Sequence, residues 1–244
     1  QRIDSVPYAA RLLERLLLNS GADNLVFCSY GIREGCLFDR LSQGRRSEDP
    51  LIAMCQEVDS RNGRGTSNGE SLANWIGPVF DNTVPQLARL RLAASYLADI
   101  GWSEHPDYRA EQVFLRILRM PLVGLDHFER SILALSVASR HSGIDGIVQR
   151  WHVNRLLSEK QIDEARSIGL AMRLAYTLTG GAIEILNSTR LEHHNNRLQL
   201  FIPTQANILV GDVVERRLRA LAKSCKCAYG IDFLEEEAPL VALV

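Results

Sequence analysis

The first residues whose types and spacing suit chemistry lie in YGIREGCLFDRL, positions 30–41. Gly31 falls where a short apolar run gives way to a helical pattern. The free N–H groups at a helix start bind anions, and a glycine there lets the backbone approach a phosphoryl oxygen. Arg33 adds a bidentate, charged donor, and Gly35 follows within the first turn. A plain tight turn, with Arg33 and Glu34 in solvent, explains the same residues and stays open. Further basic residues come in local groups. Arg45 and Arg46 sit in SQGRRSEDP, and Arg61 and Arg64 in SRNGRGTSNG. Arg216, Arg217, Arg219 and Lys223 read either as a solvated helix face or as a strip for a polyanion.

Metal chemistry finds little support. LRLAASYLADIGW, positions 90–102, ends in L-x-D-I-G. This is similar to the signature of metal-dependent phosphohydrolases that use a His-Asp pair. Ala98 stands where the histidine before Asp99 would be, and Asn68 falls near the earlier ligand. One remaining carboxylate cannot hold a divalent ion in a defined geometry. No metal site is therefore expected, and Asp99 is read as ending a helix or bonding a neighbouring loop. His105, His127, His141 and His152 are scattered, without a ligand spacing. His193 and His194 are expected in solvent at a hairpin tip. Trp75, Trp102 and Trp151 are expected to pack at the core or its rim.

These side chains need a scaffold, and the composition allows one. The chain has 244 residues, 46% of them hydrophobic, enough for one large domain or two small ones. With 28 Lys+Arg against 29 Asp+Glu the net charge is −1, so contact with a polyanion must come from a local patch. Five cysteines (Cys28, Cys36, Cys55, Cys225 and Cys227) are odd in number and lack a C-x-x-C pair. They read as reduced thiols of a cytoplasmic protein. No apolar run approaches the ~18–20 residues that span a bilayer, and there is no signal-peptide pattern. The start at Gln1, without methionine, reads as that of a fragment.

Periodicity predicts a mainly α protein. Pro7 stands near a helix start, Ala9, Leu12, Leu13, Leu16 and Leu17 follow at helical spacing, and Gly21 stops the helix. A short strand over Leu25–Ser29 and a helix over Ile32–Leu41 complete an α-β-α piece, residues 1–41. Its single strand must join a sheet elsewhere, since it cannot satisfy its own hydrogen bonds. Composition turns polar at Ser42, with an N-cap at Ser47 or Asp49, and again over Ser60–Gly69. Helices are predicted over Glu70–Phe80, Gln86–Ile100, Asp107–Arg119, Asp126–Arg140 and Glu159–Thr179. Asp126 with Glu129, and Ser158 with Gln161, have capping-box spacing, and Gly180-Gly181 closes the last helix. The end reads β-β-α-β: strands Thr189–His193 and Arg197–Ile202 around Asn195-Asn196, a helix capped by Asp212, and a third strand near Cys227–Phe233.

YGIREGCLFDRL resembles the Y/F-G-L-R-E-G-x-L-Y-D segment of the exopolyphosphatase and guanosine pentaphosphate phosphohydrolase family. LADIGWSEHPDYRAEQ and ALSVASRH resemble that family's helical region in its α-proteobacterial exopolyphosphatase form. RLEHHNNRLQLFIP followed by VVERRLRALAK is similar to its end. The resemblance runs in order from Arg2 to about Lys223. It implies that residues 1–41 end the second of two actin-like lobes. Residues 42–185 are then a helical domain like those of the His-Asp phosphohydrolases, without metal ligands, and residues 186–244 a hairpin-helix module. The family's catalytic glutamate, its glycine-rich phosphate loops and the Mg²⁺ they hold belong to earlier lobes, so no catalytic residue or cofactor is expected in this chain. The substrate implied is inorganic polyphosphate, with guanosine tetra- or pentaphosphate as an alternative ligand. A non-catalytic sensing or assembly module is the alternative role. A homodimer is expected, without membrane or nucleic-acid partners. Gly31, Arg33, Gly35, Arg45, Arg46, Arg61 and Arg64 are the residues expected to touch phosphate.

Overall fold

A computed structural model describes residues 3–25, 27, 30–61, 69–80 and 84–234. The chain divides into two units, residues 1–48 and 49–244. In the first, helix α1 (Val6–Ser20) carries Pro7 in its first turn and closes on Gly21 at φ 65°, a left-handed position that glycine takes without a steric penalty. Helices α2 (Ile32–Asp39) and α3 (Gln43–Ser47) follow. The sequence reading missed α3. Ser42 caps it by accepting the Arg45 N–H at 3.4 Å, which turns an apparently irregular polar stretch into one helical turn. Of the predicted strand Leu25–Ser29, Val26, Cys28 and Ser29 lie outside the described residues, while Leu25 and Phe27 are in no strand. The apolar stripe of α1 is not buried: Tyr8, Leu12 and Leu16 are 79%, 61% and 55% exposed.

The second unit begins with α4 (Pro50–Arg61), capped by Asp49, whose Oδ1 accepts the Leu51 N–H at 2.9 Å. Then come α5 (Gly69–Ile76), α6 (Pro85–Tyr96), α7 (Pro106–Arg119), α8 (His127–His141) and α9 (Asp145–Arg150). The long α10 (Glu159–Thr179) and the short α11 (Ile183–Ser188) complete the helical part. Both predicted capping boxes are present. Asp126 Oδ1 accepts the Glu129 N–H at 2.7 Å, and Gln161 Oε1 accepts the Ser158 N–H at 2.9 Å.

The core forms around α8 and α10. From Ser131 to Ser139 every residue of α8 is small or apolar and every one is buried. A helix buried all round belongs at the centre of a bundle. Its serines satisfy their hydroxyls within the helix pair: Ser136 Oγ donates to the Ile132 carbonyl at 2.8 Å, and Ser139 Oγ to the Arg166 carbonyl at 3.2 Å. Gly169 of α10 permits the close crossing. A Cβ there would lie 2.3 Å from Ser139 Cβ and 2.8 Å from the Arg140 nitrogen.

The sheet has β1 (Arg190–His194) antiparallel to β2 (Arg197–Pro203), and β3 (Ala228–Leu234) parallel to β2. Asn195 and Asn196 take φ 50° and 59°, the left-handed pair of a type I′ hairpin. Helix α12 (Asp212–Cys225) makes the crossover between β2 and β3, so the β-β-α-β reading describes the connectivity. Leu191, Leu198, Leu200, Ile202 and Leu218 join the same apolar cluster as the helices. Trp75 fastens the two parts: its Nε1–H donates to Thr189 Oγ1 at 3.1 Å.

Four local expectations need correction. Helix α6 ends at Tyr96 instead of Ile100, because tertiary contacts capture the following turns. Arg116 takes the Ile100 carbonyl at 2.8 Å, and a Cβ on Gly101 would lie 2.3 Å from Val113 Cγ2. The helix expected over Glu70–Phe80 becomes a 3₁₀ turn at Gly77, since Pro78 offers no N–H to continue the ladder. Gly211, not Asp212, occupies the cap of α12, and no side chain caps it. His193 is half-buried with its Nε2 fully so, because it lies on the sheet face that carries Leu191.

Candidate functional site

Helix α2 offers its N-terminus, but its own side chain takes the place of an anion. The Gly31 N–H donates to Glu34 Oε2 at 2.7 Å, and that bond holds the Glu34 carboxyl below its ordinary range. Gly31 has φ −116°, and a Cβ there would meet only Glu34 Oε2, at an ordinary contact distance of 3.6 Å, so neither strain nor crowding demands a glycine. Gly35 donates its N–H to the Gly31 carbonyl at 3.1 Å. Arg33 points outward, its Nε 4.0 Å from Glu34.

The other arginines expected at phosphate stand beside surface acids. Arg45 is 3.6 Å from Glu48 and Arg46 is 3.6 Å from Asp39, with Arg46 Nε also donating to the Leu41 carbonyl at 3.0 Å. Arg61 pairs with Glu57 one turn back. Arg64 and Asn68 lie outside the described residues. Exposed pairs of this kind contribute roughly 0–1 kcal/mol. A polyanion could therefore displace these acids at little cost. Gly31, Arg33, Gly35, Arg45 and Arg46 belong to the first unit and Arg61 to the second.

At the L-x-D-I-G turn, Asp99 is held by an arginine. Arg140 Nη2, at the end of α8, donates to Asp99 Oδ1 at 3.0 Å, and the two side chains keep only 10% and 19% of their surface. The Arg140 guanidinium lies 3.7 Å from the centre of the Tyr176 ring on α10 and within 3.3 Å of both His141 ring nitrogens. Ala98, where a metal-binding histidine would be needed, is fully buried. Among the described residues no three His, Cys, Asp or Glu side chains converge to hold a metal ion. The donor set does not fit a divalent cation, because the carboxylate that remains already has a cation of its own.

Burial and like charge shape this corner. The Arg140 pKa is pushed down, chiefly by burial, against the pull of Tyr176 and Asp99. His141 is pushed down to about 3 by burial, then by Arg140, Arg109 and Arg173. The folded state thus refuses a proton that the unfolded chain accepts below its ordinary value of 6.5. Stability from this group is complete above that value and falls as pH drops toward 3. Asp49, held low first by its hydrogen bond to Arg89, loses its contribution in the same direction on acidification. The expected result is a His141 imidazole still neutral at about pH 5 by ring-proton NMR, where an ordinary histidine is charged. A protonated ring there would contradict the packing.

Most internal arginines already have partners. Arg109 donates to the Glu104 carbonyl at 2.7 Å, Arg130 to those of Met120 and Leu122 at 2.6 and 2.7 Å, and Arg89 grips Asp49 and the Gly124 carbonyl. They fasten turns. Sequence reasoning missed Arg140, His141, Arg173 and Tyr176 as surroundings of Asp99. The available signal was in ALSVASRH, where a run of small residues ends on two basic ones with no polar stretch between. The C-terminal basic group also divides. Arg219 pairs with Glu215 and Tyr229, while Arg217 is half-buried, so a wholly solvated face does not describe the group.

Cys36, Cys55, Cys225 and Cys227 are free thiols, with burial pushing Cys55 up to about 12 and Cys225 to about 11. No described helix is long and apolar enough to cross a membrane. In comparisons with known proteins, the model of the exopolyphosphatase C-terminal family matches residues 51–231. No curated protein matches the chain.

Proposed function

The chain belongs to the exopolyphosphatase C-terminal family, and from that premise we propose that it holds inorganic polyphosphate for an enzyme that releases orthophosphate from the end of that polymer. The family match over residues 51–231 carries this reading. Removing a terminal phosphoryl group needs a positioned water and neutralisation of the charge on the transferred group. In this proposal those parts, Mg²⁺ included, belong to actin-like lobes of the parent enzyme. The helical unit is the counterpart of a His-Asp phosphohydrolase domain whose metal role has been given up. The Asp99–Arg140 pair supports that view, since a guanidinium supplies the positive charge a metal would.

Residues 1–48 fit the end of such a lobe. An amphipathic helix whose apolar stripe is exposed gains its stability from a neighbour that covers it. Arg33, Arg45, Arg46, Arg61 and Arg64, with Gly31 and Gly35, are the residues proposed to meet the polymer. Each arginine adds positive charge locally to a chain with no overall excess.

The test is calorimetric titration with long-chain polyphosphate and, separately, with guanosine tetraphosphate. Polyphosphate is expected to bind at least 10-fold more tightly, a difference of about 1.4 kcal/mol. Equal affinity, or preference for the nucleotide, would favour a nucleotide-sensing module instead.

A further inference from the structure

We infer that the cup formed where α6, α8 and α10 begin is a binding site for a small organic ammonium ion, with the cationic head at Glu129 and Glu164 and the apolar body on Leu87, Leu90 and Ile132. These five side chains line one cavity of about 480 Å³. That volume lies in the range of small-molecule sites, which pair an apolar lining with a few polar groups. Leu87 and Leu90 of α6 and Ile132 of α8 are buried core residues, and they give the cup its floor. Val84 and Phe128 also line it and are 61% and 48% exposed, so they stand at its mouth. Two exposed apolar side chains do not make a protein interface, which takes roughly 800 Å² from each partner. The occupant is therefore a small molecule.

Charge decides what kind of molecule. Asp126, Glu129 and Glu164 line the cavity against the single cation Lys160. Internal contacts leave these carboxylates acceptor capacity. In the capping box of α8, Asp126 Oδ1 accepts the Glu129 N–H at 2.7 Å and Glu129 Oε2 accepts the Asp126 N–H at 3.1 Å. Among the described residues neither acid makes an ion pair. Arg89, whose charge also reaches Glu129, is bound to Asp49. Glu164 has Lys160 at 3.9 Å, but that lysine side chain is 86% exposed, and such pairs contribute little. Glu129 and Glu164 are half-buried and come from different helices to the same apolar floor. An ammonium group has three N–H donors and can bond both at once. An aliphatic or aromatic body attached to it then takes the floor out of water. An anion of the same size meets three carboxylates and is repelled.

This site is separate from the loop arginines and does not need the polyphosphate reading. The experiment titrates the full chain with three probes that share one apolar body: hexylammonium, hexanol and hexanoate. Amide NMR shifts report both affinity and place. Hexylammonium is expected to bind at least 10-fold more tightly than hexanol, hexanoate more weakly than either, and the shifts to centre on Leu87, Leu90, Ile132 and Glu164. Glu129→Gln and Glu164→Gln separate the head from the body. Glutamine also completes a capping box, so Glu129→Gln keeps the start of α8 folded. Each variant is expected to weaken hexylammonium at least 3-fold and to leave hexanol unchanged. Equal affinity for the three probes would overturn the assignment and leave an apolar hollow without selectivity. Shifts centred elsewhere, no binding of hexylammonium, or binding that survives both substitutions would overturn it as well.

Discussion

Replacing Asp99 with alanine is expected to lower the unfolding free energy of the second unit by about 3–5 kcal/mol, the usual cost of leaving one member of a buried ion pair alone. The direction follows from what remains. Arg140 keeps its place over Tyr176, with a tenth of its surface exposed, and loses the carboxylate that balances it. His141 cannot compensate, because its imidazole is held neutral by burial and by the surrounding arginines. The site therefore becomes more positive and stays just as dry. A second variant separates charge from packing. Asp99→Ala with Arg140→Met removes both charges and keeps much of the volume, and pairs replaced in this way are often neutral in stability. Urea unfolding should show the double variant regaining most of what the single variant loses. If Asp99→Ala alone changes stability by less than about 1 kcal/mol, Asp99 is behaving as a surface carboxylate and the account of this turn is wrong.

The second large effect concerns the polymer. Polyphosphate binding should weaken steeply with salt, since each phosphate neutralised by an arginine releases a counterion. With four such contacts and a slope of about −0.7 per contact, affinity falls roughly 50-fold between 50 and 200 mM salt. Neutralising Arg45, Arg46, Arg61 and Arg64 together to glutamine should remove most of that dependence and leave the share that belongs to Arg33. The existing acid partners of the first three do not oppose the result, because they are exposed. The prediction counts contacts and needs no particular arrangement of the two units. Affinity that ignores both salt and these four substitutions would remove the loop arginines from the proposed function.

How much of this was legible in the sequence depends on how local each determinant is. Helix α10 could be read to its ends because Ser158, Gln161 and Gly180 are local signals with a defined geometry. The hairpin was legible for the same reason, since two asparagines accept left-handed angles. The end of α6 was not, because an arginine on α7 and the close approach of Val113 set it, both distant in sequence. Helix α3 was hidden by its polarity: one turn with a serine cap leaves no apolar period to detect.

The same contrast holds for function. The glycine-arginine segment was visible as a motif, yet Glu34 occupies the helix start it advertised. The missing histidine at Ala98 could be read from the sequence, but its consequence could not. Only the fold shows that Asp99 meets Arg140, or that the Arg140 guanidinium lies over Tyr176 of another helix. Pairings between helices distant in sequence are set by packing, and no spacing rule along one strand of text reports them.

The central claim is that this chain grips polyphosphate without cleaving it. The most direct measurement saturates the protein with long-chain polyphosphate in the presence of Mg²⁺ and follows orthophosphate release alongside bound polymer. The account predicts saturable, salt-sensitive binding with no release above the protein-free control. Sustained release that tracks protein concentration and disappears with Asp99→Ala would contradict it, and so would an absence of binding at low salt.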